Sequence, residues 1–437
     1  MAFAQFPVEF TKDGAVYDDV QVQALLGALP ECTDLIVLAH GWNHDMADAE
    51  KQYDELMGMV SKVLGLNLVT GLEGRTIGVL RVFWPSKRFA DADLIPGGGA
   101  ASATGENHNA LIDLLQELKR NPERLGGQEL DPIRAAHIDA ALQLLPALET
   151  DTAARREFVL RLRAILDPSA ASVDDASNAF FTRDTEALFA ELKRPVPLPL
   201  RGPNGGAAAF DSSGGAAGLG DLWSGFVAAA RRLVNFTTYY EMKERAGTVG
   251  TVGLAPVLRR IRESAPAVRL HLVGHSFGGR LVTAAANALA DATPAVTMTL
   301  LQAAYSHNGI GLRYDGTHDG DFRAVLGKAR VSGPILITHT KNDLAVGISY
   351  PLASIAADQQ ASAMGDRNDP YGGMGRNGAQ HTPEVDAGVS TLHAVGAAYA
   401  FAPGKVYNLN ADAFISNHGD VMGAQVAYAV LSAMRSV

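Results

Sequence analysis

The fold is most readily inferred from the stretch Gly274-His275-Ser276-Phe277-Gly278. It follows the apolar run 268–273, which is typical of a buried strand, and precedes an alanine-rich stretch that predicts a helix. A serine between a strand and a helix, with a glycine two residues away on each side, lies at a sharp, strained turn that lifts its hydroxyl above the sheet edge. The glycines leave room where the two backbones nearly touch. We therefore predict that Ser276 is a nucleophile.

The composition indicates a large, acidic globular protein. The chain has 437 residues, 47% of them hydrophobic, which suits one large domain with an insertion or two domains. The formal net charge of -10 argues against a nucleic-acid-binding surface. Cys32 is the one cysteine, so no intramolecular disulfide is expected. Neither a signal-peptide pattern nor an apolar run of about 18 residues is present, so we expect no transmembrane segment and a cytoplasmic protein.

Further apolar runs of the kind found in buried parallel strands occur along the chain. They are 35–39, 76–84, 295–301, 334–340 and 406–409. Helical spacing predicts a helix over 46–64, with Asp45 as its N-cap, and a final helix over 420–435. Lys12-Asp13-Gly14 predicts a hairpin turn. This alternation predicts an α/β fold with a mostly parallel sheet flanked by helices.

An early strand ends in His40-Gly41-Trp42. The glycine allows the backbone to turn so that the next amide points at a substrate, and amides in such positions stabilise a developing oxyanion. We predict that the backbone amides of Trp42 and Phe277 form an oxyanion hole. The residues predicted to bind substrate are His40, Gly41 and His275.

Two patterns suggest a metal site, and in both we favour another interpretation. His40 and His44 are four residues apart, as on one helix face, but the residues between them predict a loop. Three aspartates between positions 315 and 321 lack the full pattern of a calcium-binding loop and predict a solvated loop instead. We expect no metal.

Two later residues are suited to assist the serine. Asp343 follows the predicted strand 334–340, where a carboxylate can orient an imidazole and stabilise its protonated form. His418 lies between the last predicted strand and the last helix, and we predict that it accepts the proton of Ser276. His393 is the alternative base.

The middle of the chain shows no strand pattern. Its predicted helices are 107–120, 131–149, 152–166 and 184–194, and its predicted flexible loops are 90–106 and 195–220. We therefore divide the chain into the first part of the α/β core (1–89), a helical cap insertion (90–220) and the second part of the core (221–437).

Two segments beyond the insertion could shape a binding site. The aromatic-rich amphipathic stretch 221–246 could lie on a membrane as a lid or pack within the protein, and we expect packing. The segment 358–390 is rich in Gly, Asn, Asp and Ala and predicts a loop near the site. Tyr371 and Arg376 are candidate specificity residues in this loop.

Taken together, these residues resemble the α/β-hydrolase superfamily, in which the order is serine, aspartate, histidine. His-Gly-Trp-Asn, Trp-Pro-Ser, Gly-His-Ser-Phe-Gly-Gly and Asn-His-Gly-Asp are similar to motifs of bacterial serine hydrolases of unassigned substrate, described as esterases or peptidases. The resemblance covers 33–88 and 245–437 and leaves out the insertion at 90–220. It implies a mostly parallel sheet, a Ser276–Asp343–His418 triad and no cofactor.

Three functions remain open at this point. The first is hydrolysis of a small-molecule carboxylic ester through an acyl-serine intermediate, which we favour because an apolar pocket under a helical cap suits esters. The second is amide or peptide hydrolysis with the same residues. The third is a non-catalytic, binding member of the fold. The oligomeric state is not predicted.

Overall fold

The computed structural model describes residues 3–42, 44–86, 105–122, 131–172, 177–192, 225–289, 294–343, 346 and 372–437. The strands in these ranges are β1 (Ala4–Glu9), β2 (Asp34–Ala39), β3 (Ile77–Phe83), β4 (Arg269–His275), β5 (Thr297–Leu301), β6 (Ile335–His339) and β7 (Val406–Asn410). Over the described ranges they form one seven-stranded sheet in the order β1-β3-β2-β4-β5-β6-β7. All neighbouring strands pair in parallel. The predicted α/β class is confirmed, with a sheet that is wholly rather than mostly parallel.

Helices flank this sheet and make up most of the described residues between β3 and β4. They are α1 (Asp19–Ala28), α2 (Met46–Gly65), α3 (Gly105–Arg120), α4 (Pro132–Leu144), α5 (Thr152–Ile165), α6 (Ser177–Thr182), α7 (Thr185–Leu192), α8 (Phe226–Thr248), α9 (Ala255–Ser264), α10 (Phe277–Asn287), α11 (Ala324–Gly327), α12 (Met374–Asn377) and α13 (Ala424–Arg435). Short 3-10 helices are Leu29–Glu31, Leu145–Ala147 and Pro168–Ala170, and Val249–Leu254 is π-helical. Among the described helices, none combines the length and apolarity needed to cross a bilayer.

The core occupies both faces of the sheet, as the continuous apolar runs predict. Along β2, Leu35 and Val37 pack on one face in a cluster with α8, α9 and α10. Ile36 and Leu38 pack on the opposite face in a cluster with α2 and α13. Alternate side chains of one strand therefore hold the two helical layers in place.

Local side-chain hydrogen bonds influence where two predicted helices begin. Asp45 caps α2 as predicted, because its carboxylate accepts a hydrogen bond from the Asp48 amide while the Asp48 side chain accepts one from the Asp45 amide. The last helix begins at Ala424, not at position 420. The side chain of Asp420 is instead bonded to Ser416 in a turn, and this turn delays the helix start.

The predicted hairpin near the N-terminus is short. Phe10 and Val16 form one antiparallel bridge around Gly14, which has a φ of 84°. The preceding strand β1 pairs in parallel with β3. The predicted turn is present, whereas the strand before it, β1, belongs to the main sheet.

Helices α3 to α7 form a separate apolar cluster, which we call the helical cluster. Its members come from Leu111 to Leu192 and, on α8, from Ala229 to Tyr240. Helix α8 also packs on the sheet through Tyr239 and Met242, so the expectation that 221–246 is a packing helix agrees with its burial. Of the predicted loops 90–106, 195–220 and 358–390, residues 90–104, 195–220 and 358–371 lie outside the described residues. Residues 105–106 instead begin α3, and Met374–Asn377 forms α12. The division of the chain at 89 and 220 stays a prediction.

Candidate active site

Ser276 occupies a strained turn between β4 and α10. Its φ of 55° and ψ of -124° are unusual for a residue with a side chain and carry a cost of about 1 to 3 kcal/mol. Three backbone hydrogen bonds hold it there. Its amide donates to the Leu301 carbonyl over 3.0 Å, and its carbonyl accepts from the amides of Gly279 at 3.0 Å and Ala304 at 3.1 Å. The strand-turn-helix geometry predicted from the pentapeptide is present.

The glycines on each side are required by close backbone contact. A Cβ on Gly274 would lie 2.3 Å from the Gly278 carbonyl oxygen. A Cβ on Gly278 would lie 2.2 Å from the Ala39 carbonyl oxygen, at the end of β2. Any larger residue at either position would push the turn away from the sheet.

Ser276, His418 and Asp343 form one chain of hydrogen bonds. Ser276 Oγ lies 2.9 Å from His418 Nε2, and His418 Nδ1 lies 2.8 Å from Asp343 Oδ2. An N–H at Nδ1 can donate only to the carboxylate, which leaves Nε2 as the acceptor for the serine hydroxyl. The carboxylate is fully buried, whereas the imidazole side chain is 24% exposed. The structure thus brings together the three residues predicted to act together, although they are widely separated in the sequence.

The Asp343 carboxylate has partners besides His418. Its Oδ1 accepts from the Val346 amide at 2.9 Å, and its Oδ2 lies 3.5 Å from Gln302 Nε2. Gln302 is fixed in turn, since Nε2 donates to the Gly375 carbonyl at 3.1 Å and Oε1 accepts from Thr338 Oγ1 at 2.8 Å. Gln302 is not among the residues predicted for the site. A polar residue directly after an apolar strand at 295–301 was the available signal.

A compact turn carries His418. The Asn417 side-chain oxygen accepts from the amides of Gly419 at 2.9 Å and Asp420 at 3.1 Å. The carbonyl of His418 itself accepts from His275 Nε2 at 2.9 Å. The turn is therefore held both by its own side chains and by the residue that precedes Ser276.

Gly41 lies directly against the serine. A Cβ on Gly41 would be 3.0 Å from Ser276 Cβ and 2.9 Å from His275 Nδ1. The loop that carries the Trp42 amide therefore runs beside the nucleophile, as does the Phe277 amide that follows it in the chain. Their roles as oxyanion donors stay predictions.

The predicted substrate-binding side chains His40 and His275 are both buried, with 2% and 4% exposure. The His40 ring stacks on Trp84 with centroids 5.7 Å apart, and its Nδ1 is 2.9 Å from the Gly41 carbonyl. Burial, with a smaller effect from His44, lowers the pKa of His40 to about 3, so the ring is neutral. His40 thus contacts the loop that carries Gly41 and Trp42. Its role in binding substrate stays a prediction.

Three aromatic side chains surround the turn. Phe277 lies 5.7 Å from Trp42 and 5.2 Å from Tyr239, measured between ring centroids. Trp42 also packs against both the sheet core and the helical cluster. An aromatic cluster therefore lies beside the nucleophile turn, and helix α8 contributes to it through Tyr239.

The remaining predicted residues have contacts of their own or lie outside the described ranges. His393 stacks on Tyr399 with centroids 4.5 Å apart, and its Nδ1 is 3.2 Å from the Ala398 carbonyl. Arg376 donates to the backbone carbonyls of Lys341 at 2.9 Å and Asp343 at 3.3 Å. Tyr371 is not among the described residues. Within the ranges that are described, no group of three or more His, Cys, Asp or Glu side chains is arranged to hold a metal ion.

Comparisons of the chain with protein-family models, curated proteins and solved structures find no match. The resemblance to α/β-hydrolases therefore rests on the motifs quoted above. Any statement of function has to be argued from the chemistry of the site.

Proposed function

We propose that the protein is a serine hydrolase that cleaves a small-molecule carboxylic ester through an acyl-Ser276 intermediate. The observation that carries the proposal is the continuous hydrogen-bond chain from the Ser276 hydroxyl through His418 to the buried carboxylate of Asp343. The strained backbone of Ser276 supports it as well, because such strain persists where the surroundings over-determine it and is concentrated at functional sites.

In the first half of the reaction, His418 Nε2 takes the hydroxyl proton as Ser276 Oγ attacks the carbonyl carbon of the ester. The buried carboxylate of Asp343 stabilises the imidazolium that forms. The carbonyl oxygen becomes an oxyanion, which the amides of Trp42 and Phe277 are proposed to stabilise. The C–O bond to the alcohol then breaks, and the alcohol leaves with the proton from His418.

In the second half, a water molecule replaces the alcohol. His418 accepts a proton from this water as its oxygen attacks the acyl carbon. The bond to Ser276 Oγ breaks, the proton returns to the serine, and the carboxylic acid is released. The first half leaves Ser276 acylated, the second half restores the starting state of all three side chains, and neither needs a cofactor.

An ester is favoured over an amide by the surroundings of the serine. The half-buried ring of Trp42 supplies apolar surface for an acyl or alcohol group, and the buried rings of Tyr239 and Phe277 pack against it. Trp42 contacts the helical cluster, so we propose that this cluster caps the site and sets the size of the substrate.

Covalent labelling tests the nucleophile, and paired substrates test the reaction class. A fluorophosphonate should label the wild-type protein but not the Ser276→Ala variant. Parallel assays with p-nitrophenyl esters and p-nitroanilides should show turnover of the esters at rates well above those of the anilides. Preference for the anilides would favour an amidase, and absence of labelling would favour a binding role.

A further inference from the structure

His275 links the nucleophile turn to the turn that carries the proposed base. Its ring is 4% exposed and both ring nitrogens have protein partners. Nε2 lies 2.9 Å from the backbone carbonyl oxygen of His418. Nδ1 lies 3.0 Å from Nε2 of Gln52, a residue of α2 that is 8% exposed.

These partners select one tautomer of His275. A carbonyl oxygen only accepts hydrogen bonds, so Nε2 of His275 must carry the proton. Nδ1 then has a lone pair, which the side-chain amide of Gln52 satisfies as a donor. Burial, together with the nearby rings of His418, His44 and His40, lowers the pKa of His275 well below its ordinary value, in agreement with a neutral ring.

The contacts of His275 and Ser276 constrain the backbone of His418, the proposed base. Ser276 and His275 are adjacent, so one side chain of the pair contacts the imidazole of His418 and the other holds its backbone carbonyl. The two rings lie 4.9 Å apart between centroids. This bond ties the backbone of His418 directly to the residue next to the nucleophile, in addition to the contacts of the His418 ring with Ser276 and Asp343.

We propose that Gln52 and His275 are positioning residues, in which Gln52 fixes the tautomer of His275 and His275 holds the His418 carbonyl at the distance that proton transfer requires. This rests on the proposed function of Ser276. Neither residue touches the reacting atoms. Loss of either residue should displace His418, the proposed base. A displacement of about 1 Å can lower a rate by about 100-fold.

Substitutions of Gln52 test the proposal without altering the proposed catalytic residues. Gln52→Met keeps the length of the side chain but removes the donor. We expect kcat on a p-nitrophenyl ester and the rate of fluorophosphonate labelling to fall about 10- to 100-fold, with KM little changed. His275→Gln, whose amide can still donate to the His418 carbonyl, should retain more activity than His275→Leu.

Leu56→Ala is the matched control. Leu56 lies one turn further along the buried face of α2, so this variant weakens packing but leaves the Gln52–His275 bond in place. It should lower the melting temperature with kcat unchanged. Nitrogen NMR of labelled histidine should show the Nε2–H tautomer of His275 in the wild type and a changed spectrum in Gln52→Met.

The outcomes separate the two proposals. Unchanged kcat and labelling rate in Gln52→Met, with a labelled wild type, would overturn the positioning role alone. An equal loss of kcat in Leu56→Ala would also overturn it, because stability would then explain the effect. A wild-type Ser276 that fails to react would overturn the proposed function, and the positioning role with it.

Discussion

Two hydrogen-bonded chains of side chains, each made of a hydroxyl, an imidazole and a carboxylate, lie at opposite ends of the sheet. At the carboxyl ends of the strands, hydroxyl, imidazole and carboxylate belong to Ser276, His418 and Asp343. At the amino ends, Thr297 Oγ1 lies 2.9 Å from His271 Nδ1, and His271 Nε2 lies 2.9 Å from Asp34 Oδ1. The distances are nearly the same in both chains, so distance alone does not make a site.

The surroundings differ. His271 and Asp34 are fully buried, and the carboxylate also accepts hydrogen bonds from Arg269 and Arg75. Arg75 in turn holds the backbone carbonyl oxygens of Met434 and Val437, so the group ties the C-terminal helix to the sheet. We infer that the amino-end chain is structural. The carboxyl-end chain differs by its partly exposed imidazole and by the strained backbone of its hydroxyl residue.

The largest expected difference between the two hydrogen-bonded chains is the effect on kcat of removing the hydroxyl of Ser276 rather than that of Thr297. Ser276→Ala should lower kcat on the best ester by on the order of 10⁴-fold or more, with the fold retained, because the attacking atom is removed. His418→Ala should have a similar effect. Steady-state kinetics and circular dichroism check both. Near-full activity in His418→Ala, with activity lost in His393→Ala, would show that the base was assigned wrongly.

The two carboxylates should differ almost as much. Asp343→Asn should lower kcat by about 10⁴-fold, because the amide no longer favours the tautomer of His418 that accepts the serine proton. Asp34→Asn should leave kcat per folded molecule unchanged. Comparable losses of kcat in both variants would remove the distinction drawn between the two chains.

Asp34→Asn should instead reduce stability. It weakens hydrogen bonds to charged partners, and we expect the free energy of unfolding to fall by about 2 to 3 kcal/mol. Urea denaturation measures this change. A loss of less than about 0.5 kcal/mol would mean that the amino-end group contributes little.

The same carboxylate predicts how stability depends on pH. Burial acts against the charged form, but hydrogen bonds from Arg269, His271 and Thr33 outweigh it and hold the pKa of Asp34 below its ordinary value. A lowered folded-state pKa adds stability above the unfolded pKa of about 4, and this stability is lost as pH falls below it. Unfolding measured from about pH 6 to about pH 2 should show a smaller decline in Asp34→Asn than in the wild type. Parallel curves would contradict the assignment.

The smallest expected effect is that of Thr297→Val. It removes the hydroxyl bonded to His271, and the free energy of unfolding should fall by about 1 kcal/mol with kcat unchanged. This variant is the structural counterpart of Ser276→Ala. A large loss of activity in Thr297→Val would indicate that the two ends of the sheet are coupled.

The sequence was sufficient for the strands β2 to β7, though not for the pairing of β1 in the sheet, and it pointed to the three residues of the carboxyl-end chain. Strands such as 35–39 are buried on both faces and therefore appear as continuous apolar runs. Ser276, Asp343 and His418 each follow a strand, and the carboxyl ends of parallel strands meet at one edge of the sheet. Residues far apart in sequence could therefore be placed together.

The supporting residues were not predictable in the same way. Gln52 bonds to His275, which is 223 residues away, and nothing local distinguishes it from other polar helix residues except that it precedes Leu56 by four positions on the buried face. His271 and Asp34 belong to strands in which the apolar neighbours dominate the pattern. Their roles come from tertiary contacts, which a single sequence does not contain.

The central claim is that Ser276 becomes acylated during turnover. Wild-type protein mixed with a p-nitrophenyl ester and quenched in acid should gain the mass of the acyl group, located by mass spectrometry on the peptide that contains Ser276. The Ser276→Ala variant should gain none. An adduct that persists in Ser276→Ala, or turnover by the wild type with the acyl group on another residue, would show that Ser276 is not the nucleophile.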